Sequence, residues 1–339
     1  MLRTAIVGLG GIGNRHATIY NEDGRCEVVA VCDFVKETAE AAGARYGCPA
    51  FQSVPDMLAA GLDVGLASVC TAGEENGGDH YEPTIALLNA GIPVLGEKPI
   101  SNRINEAQEM VALAKEKDLR YGINLNHRFT PAAARAKQWV DEGRLGELNI
   151  INMTMWINNP NESSDHFHIR ALHPHSIDVM RYFCGDVKQV HAFFKRGLDR
   201  EGKRRTGWSN VQVGMRFAND VVGNLTGSYD AVGPGSAYGL ERLEVVGHDA
   251  RLVLEDACER LYFTPRRSRE VERYDYVGGM MSFNETFQSR ITRWIEQNVE
   301  EAAPEAIEGS GEEALKAQLV IEAAIESWDT GKVVDIPDV

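Results

Sequence analysis

The run Gly8-Leu9-Gly10-Gly11-Ile12-Gly13 has the spacing G-x-G-x-x-G. It follows a short apolar run and opens a helical pattern, the setting in which this spacing binds a dinucleotide. Gly8 permits a tight turn, Gly10 lets the backbone approach a pyrophosphate, and Gly13 lets the helix pack closely on the strand. The helix start, at Gly11 and Ile12, then offers N–H groups to the phosphates. Asp33 ends the second apolar run, twenty residues past Gly13. A carboxylate there accepts hydrogen bonds from the adenosine ribose and repels a 2′-phosphate, so the pattern favours NAD over NADP. Phe34 follows, where an NADP site would place Arg or Ser, although Lys36 is close by.

A fourth apolar run ends in Gly96-Glu97-Lys98-Pro99. A charged pair at the carboxyl edge of a parallel sheet lies where such sheets bind ligands. An ammonium there would stabilise an alkoxide developing during hydride transfer; the plainer alternative is a surface Lys–Glu pair. Four histidines, His166, His168, His173 and His175, fall within ten residues, flanked by Asp165, Arg170 and Asp178. Imidazole takes a proton near neutrality and suits a general base. The two His-x-His spacings also fit zinc, but hydride transfer to a nicotinamide needs no metal, and none is expected. Trp156, Asn158, Asn159 and Trp208 offer a stacking face and amides to a polyol. Arg128, just past the last strand of the first half, is a further candidate for the substrate cleft.

The elements that must carry these groups alternate at first. Residues 4–8, 27–32, 64–70, 92–95 and 119–125 read as strands, with helices at 36–46, 81–90 and 104–117 between them. That alternation predicts a doubly wound parallel sheet, an α/β Rossmann domain over residues 1–125. Strand-like runs then follow at 148–156, 187–195, 210–217, 222–229, 239–246 and 251–254, with a helix at 172–183 after the first of them. They predict an α+β domain over residues 126–339, with a large, mostly antiparallel open sheet, for substrate binding and oligomerisation. Helices at 283–299 and 312–329 close the chain, and residues 300–311 read as an exposed loop.

With these motifs in place, the chain resembles the Gfo/Idh/MocA oxidoreductases, named for glucose–fructose oxidoreductase and inositol dehydrogenase. The resemblance rests on the Gly8 to Gly13 turn, Asp33, Thr71, His80, and Ala90-Gly91-Ile92-Pro93-Val94 leading into Glu97-Lys98-Pro99. It continues through Asn126-His127-Arg128-Phe129 and His175-Ser176-Ile177-Asp178, and so spans essentially the whole chain. It implies NAD(P)-dependent oxidation or reduction of a ring hydroxyl or carbonyl, usually on a sugar or cyclic polyol. It implies that Thr71, His80, Glu97 and Lys98 belong to the cofactor site, with Lys98 against the nicotinamide. It aligns the family's general base with His175. Asp178 shares a helix face with that base and would orient it or bind a substrate hydroxyl, and His173 replaces what is often a glycine near the substrate.

One departure stands out. The family carries Asp four residues before its His, and this chain has Ala171. Alanine cannot relay a proton, which leaves Asp165, His166, His168 and His173 as candidates for that task. It also keeps two other functions open: a redox-neutral, NAD-dependent enzyme that cleaves glycosidic bonds, and a non-catalytic NAD-binding sensor. Relatives form dimers and tetramers, and the open sheet of the second domain is expected to pair with another copy.

The whole-chain numbers agree with a protein of small molecules. Among 339 residues, 35 Lys and Arg face 50 Asp and Glu, a net charge of −15 that phosphate backbones and anionic membranes would repel. Ten acids and one lysine lie in residues 296–329, a solubilising face. Lys195, Arg196, Arg200, Lys203, Arg204 and Arg205 form an opposing basic patch, read as a loop or a site for an anionic substrate. No stretch approaches the roughly 18–20 apolar residues of a membrane span, and Met1-Leu2-Arg3 leads straight into a strand pattern rather than a signal peptide. Six cysteines without a C-x-x-C pair read as reduced core thiols of a cytoplasmic protein.

Overall fold

Apolar runs without alternation demand a sheet covered on both faces, and the first unit is built on one. The computed structural model describes residues 1–230, 240–257 and 259–338. Its first sheet comprises β1 (Leu2–Val7), β2 (Cys26–Cys32), β3 (Ala50–Phe51), β4 (Leu66–Val69), β5 (Val94–Gly96) and β6 (Tyr121–Ile123). All pairings are parallel, in the order β3-β2-β1-β4-β5-β6. The connecting helices are α1 (Gly11–Glu22), α2 (Lys36–Tyr46), α3 (Val54–Ala59), α4 (Tyr81–Asn89) and α5 (Ile104–Glu116). The order reverses between β1 and β4, the switch point at which doubly wound sheets bind ligands.

This unit also recruits a distant segment, Phe287–Leu315, and so is not the single stretch 1–125 that the sequence suggests. Within α8 (Phe283–Val299), Ile291, Trp294 and Ile295 enter one core with Ile6, Leu66 and Leu95. The residues read as an exposed loop are partly packed. Ile307 joins the same core, and the Gly309 carbonyl accepts Ile123 N–H at 2.8 Å. An apolar helix face is visible in sequence, but the sheet it will cover is not.

The second unit comprises Asn126–Thr286 and Lys316–Val339. Its sheet has the order β14-β13-β12-β11-β7-β10-β9-β8-β15. The strands are β7 (Leu148–Trp156), β8 (Val187–Lys195), β9 (Asn210–Phe217), β10 (Val222–Ser228), β11 (Leu240–Gly247), β12 (Ala250–Glu255), β13 (Arg260–Pro265), β14 (Glu272–Asp275) and β15 (Val334–Asp335). Among the described strands of this second sheet, only β7 and β10 pair in parallel. Ile151, Met153, Val213, Met215 and Leu225 alternate onto the inner face, where α7 (Phe167–Cys184) and residues of α9 (Gly311–Thr330) complete the core. The outer face keeps Val222, Ile150 and Val246 in register across β10, β7 and β11. Phe193 on β8 is also exposed, at 57%.

Several elements escape the sequence reading. The helix α6 (Pro131–Asp141) has a plain start signal, Pro131 at its first turn and Thr130 Oγ1 accepting Ala133 N–H at 3.1 Å. The helix α7 begins at Phe167 rather than 172. Pro174 lies inside it and lacks the N–H that a helical residue gives to the fourth residue before it. β13 and the short, mostly charged β14 are also missing from that reading, although Leu261 and Phe263 of β13 alternate into the core. Gly239, where one strand was expected to begin, and Cys258 lie outside the described residues.

Candidate active site

The glycine turn joins β1 to α1. Gly8 has φ +86°, and a Cβ there would lie 2.5 Å from Thr71 N. A Cβ on Gly13 would lie 1.7 Å from the Gly8 carbonyl oxygen. Both positions are closed by the protein itself. Gly10 and Gly11 differ, since a Cβ on either would meet nothing within 4 Å. The chain is therefore tight where the fold needs contact and open where a pyrophosphate would lie against helix N–H groups. Asp33 is 8% exposed. Its Oδ2 accepts Leu9 N–H at 2.7 Å and its Oδ1 accepts Val35 N–H at 2.9 Å. The carboxylate thus ties the end of β2 to the glycine turn, and each oxygen keeps a lone pair for a ribose hydroxyl. Phe34 is 83% exposed beside it, and Lys36 reaches back to Glu40 at 3.7 Å.

Lys98 follows β5 at the carboxyl edge of the sheet. It is half-buried. Burial pushes its ammonium below the ordinary value, and the Glu97 charge pulls it back up. Glu97 is 6% exposed. Burial alone would raise its carboxyl, but hydrogen bonds from His16 and Asn124 and the charge of Lys98 hold it below the usual range. His16 Nε2 lies 3.1 Å and Asn124 Nδ2 2.5 Å from Glu97 Oε1. His80, ahead of α4, bridges two carbonyls. Its Nδ1 lies 2.7 Å from the Pro99 oxygen and its Nε2 2.9 Å from the Thr71 oxygen. The Thr71 hydroxyl donates to the Asp79 carbonyl at 2.6 Å. His80 and Thr71 thereby brace the turn that carries Lys98.

In the second unit, His175 on α7 is 6% exposed. Its ring stacks on His127, which belongs to the short turn Asn126–Phe129. Next to it, Arg128 grips Asp178 with both ends of its guanidinium, Nε to Oδ2 at 2.7 Å and the second nitrogen to Oδ1. Both are buried. The structure therefore brings His127, Arg128, His175 and Asp178 together.

His173 and Trp156 lie elsewhere. His173 is 0% exposed, with Nδ1 3.0 Å from Ser176 Oγ and Nε2 3.1 Å from His168 Nε2. It fills the space that Gly227 leaves, where a Cβ would come within 2.0 Å of the ring. A near neighbour of His175 in sequence thus points into a different part of the core, because positions two apart on a helix point about 200° apart. Burial lowers the His173 ring to about 3, and burial together with His173 pushes His168 well below its ordinary value. Trp156 alternates with Met153 and Met155, which face α7, and so it turns to the opposite face of the sheet. There it lines a recess of about 420 Å³ with Phe193, Lys195, Gln212, Thr226 and Ser228.

Asn158 accepts from Arg200 at 2.8 Å. Much of the basic patch is tied down in the same way: Arg196 meets Asp165 at 3.3 Å, and Arg205 meets Glu162 at 3.1 Å and Asp230 at 2.5 Å. Among the described residues, no three His, Cys, Asp or Glu side chains converge as metal ligands do. Sequence reasoning missed His16 and Asn124 behind Glu97, although His16 sits three residues after the glycine turn.

Comparison with known proteins matches both units. A family model described as an oxidoreductase family with an NAD-binding Rossmann fold matches residues 2–125. The GFO/IDH/MocA C-terminal domain matches residues 133–253. The chain is 24% identical to myo-inositol 2-dehydrogenase of Thermotoga maritima, over 100% of this chain and 99% of that one. It is 31% identical to D-glucoside 3-dehydrogenase of Escherichia coli over 150 residues, 44% of this chain and 42% of the relative. A levoglucosan dehydrogenase solved with NADH and levoglucosan has the same fold, with TM-score 0.85 and 20% identity over 99% of this chain and 100% of that one. The first unit is therefore an NAD-binding Rossmann domain. No helix among the described residues is long and apolar enough to cross a membrane. Two family models, one on each unit, and a relative aligned from end to end lead to one conclusion: the chain belongs to the Gfo/Idh/MocA family of oxidoreductases.

Proposed function

We propose that this protein is an NAD-dependent dehydrogenase of a ring hydroxyl on a sugar or cyclic polyol, with Lys98 and His175 handling the proton and the charge. The observation that carries the reading is the place of Lys98: half-buried, just past β5 at the carboxyl edge of the NAD-binding sheet, and next to Glu97, whose carboxylate His16 and Asn124 hold. When bound, NAD supplies the hydride acceptor. His175 takes the hydroxyl proton, its ring plane held by His127. The Lys98 ammonium stabilises the oxygen as it becomes an alkoxide. Asp178 is engaged by Arg128 and fixes the segment around His175. The relatives named for inositol, glucosides and levoglucosan support a ring polyol as the substrate.

The same reading extends to the setting. The apolar row Val222, Ile150 and Val246 and the exposed Phe193 support a homo-oligomer formed through the outer face of the nine-stranded sheet. Among the described residues five cysteines are free, four of them buried, which supports a cytoplasmic location.

The test is reduction of NAD⁺ and NADP⁺ with a panel of inositols, aldoses, glycosides and sugar acids. Turnover with NAD⁺ should fall about 10²–10³-fold in Lys98→Ala and about 10²–10⁴-fold in His175→Ala. Activity that survives in both variants overturns the assignment. A wild type that binds NADH tightly but turns over nothing on the panel would favour the redox-neutral glycoside-cleaving enzyme or the sensor.

A further inference from the structure

A line of buried polar groups runs behind Glu97, and the proposed chemistry does not use it. The Tyr20 hydroxyl lies 3.1 Å from Ser68 Oγ, Ser68 Oγ 3.2 Å from His16 Nδ1, and His16 Nε2 3.1 Å from Glu97 Oε1. Tyr20, Ser68 and His16 are all 0% exposed. They come from α1 and β4, the two elements that flank the glycine turn and the switch point. A polar chain in such a place is costly unless every member is satisfied.

The partners decide its direction. A carboxylate only accepts, so His16 donates from Nε2 whichever charge the ring carries. Asn124 donates to the same oxygen at 2.5 Å. The far end is the Tyr20 hydroxyl, whose own ionisation burial opposes. The line stops inside the unit, so it holds a charge and does not conduct a proton to water. The other titratable or charged groups acting on it are Cys70, Cys26, Arg290 and Lys98. The Cys70 thiol is pushed up by burial and then by the Glu97 charge, so it stays neutral. Among these groups, the cation closest in sequence to Glu97 is Lys98.

We propose that His16 is a positioning residue: by donating to Glu97 it keeps that carboxylate anionic beside Lys98, and so keeps Lys98 a cation. The inference rests on Lys98 being the working cation of the site described above. It does not depend on which sugar is oxidised.

Competitive acetylation of the full-length protein with acetic anhydride, followed by peptide mass spectrometry, titrates Lys98 without requiring turnover. His16→Leu should lower the Lys98 midpoint by about one pH unit, a tenfold change in protonation. His16→Gln, whose amide can still donate, should recover much of that shift. Glu97→Gln should lower the midpoint as His16→Leu does, and adding His16→Leu to it should change nothing more. The basic limb of kcat/KM should move with the midpoint. An unchanged midpoint in a folded His16→Leu protein overturns the inference, as does a further fall in the Glu97→Gln background. If His16→Leu does not fold, Tyr20→Phe and Ser68→Ala should give smaller shifts in the same direction, and no shift in either overturns it. A Lys98→Ala protein with full activity would instead sink the proposed role of Lys98 and leave the acetylation result standing.

Discussion

The imidazoles of His127 and His175 lie face to face, with centroids 4.6 Å apart and planes 12° from parallel. They are 3% and 6% exposed. Ring nitrogens lie in the ring plane, so the stack sets the plane in which His175 exchanges a proton. His127→Phe keeps a flat face and is expected to hold kcat within about threefold of wild type. His127→Ala removes the face and should lower kcat about tenfold by misplacing the base. Steady-state kinetics at saturating NAD⁺ and substrate check this. An alanine variant as fast as wild type would mean that other contacts set the ring.

The two kinds of glycine in the turn should separate binding from folding. Gly10→Ala puts its methyl into open space, so thermal stability should match wild type while NADH binding weakens about tenfold, or about 1.4 kcal/mol. Gly13→Ala drives its methyl into the Gly8 carbonyl and should cost about 1–3 kcal/mol of stability. Urea unfolding and calorimetric titration with NADH distinguish the two. Equal losses of stability would defeat the distinction.

Acid should destabilise the second unit early. Burial depresses both His168 and His173. The unfolded chain takes up protons at these rings below about pH 6.5, and the folded chain refuses them. The stabilisation is therefore full above about pH 6.5 and is lost as pH falls. Each ring contributes about 1.4 kcal/mol per pH unit once well below that point. Unfolding free energies at pH 7, 6 and 5 should show the slope, and His173→Gln should roughly halve it. A flat profile above pH 5 would show that the rings charge without unfolding.

Arg128 and Asp178 form a buried, two-point ion pair. Removing one partner takes from the other buried charge its two-point contact. Asp178→Ala should therefore cost about 3–5 kcal/mol, and Arg128→Met with Asp178→Leu considerably less. Chemical denaturation of the singles and the double forms the cycle. A rise in KM with unchanged stability in Asp178→Ala would make the pair a substrate contact instead of a brace.

The periodic and punctuated features were the legible ones. Continuous apolar runs give β1, β2, β4 and β5 because a sheet covered on both faces needs no polar side. The spacing of Gly8, Gly10 and Gly13 and the place of Asp33 announce a nucleotide turn, since those constraints act within one βα unit. The Gly96-Glu97-Lys98-Pro99 run lies where a parallel sheet ends, and topology then places it at the ligand edge. These are local consequences of residue type and order, and the sequence alone determined them, together with the family and the cofactor.

Other facts needed the folded chain. Nothing near His175 in sequence tells that its stacking partner is His127, or that Asp178 is held by Arg128, fifty residues away. His173 and Trp156 carry the right chemistry, but helix and strand geometry turn them to the core and to the far face. Helix α8 shows its apolar stripe, yet only packing assigns it to the first sheet. The line from Tyr20 through His16 to Glu97 joins residues up to 81 positions apart. Hydrogen bonds and close packing act through space at a few ångströms. Which distant groups come within that reach is a property of the tertiary structure and of no single segment.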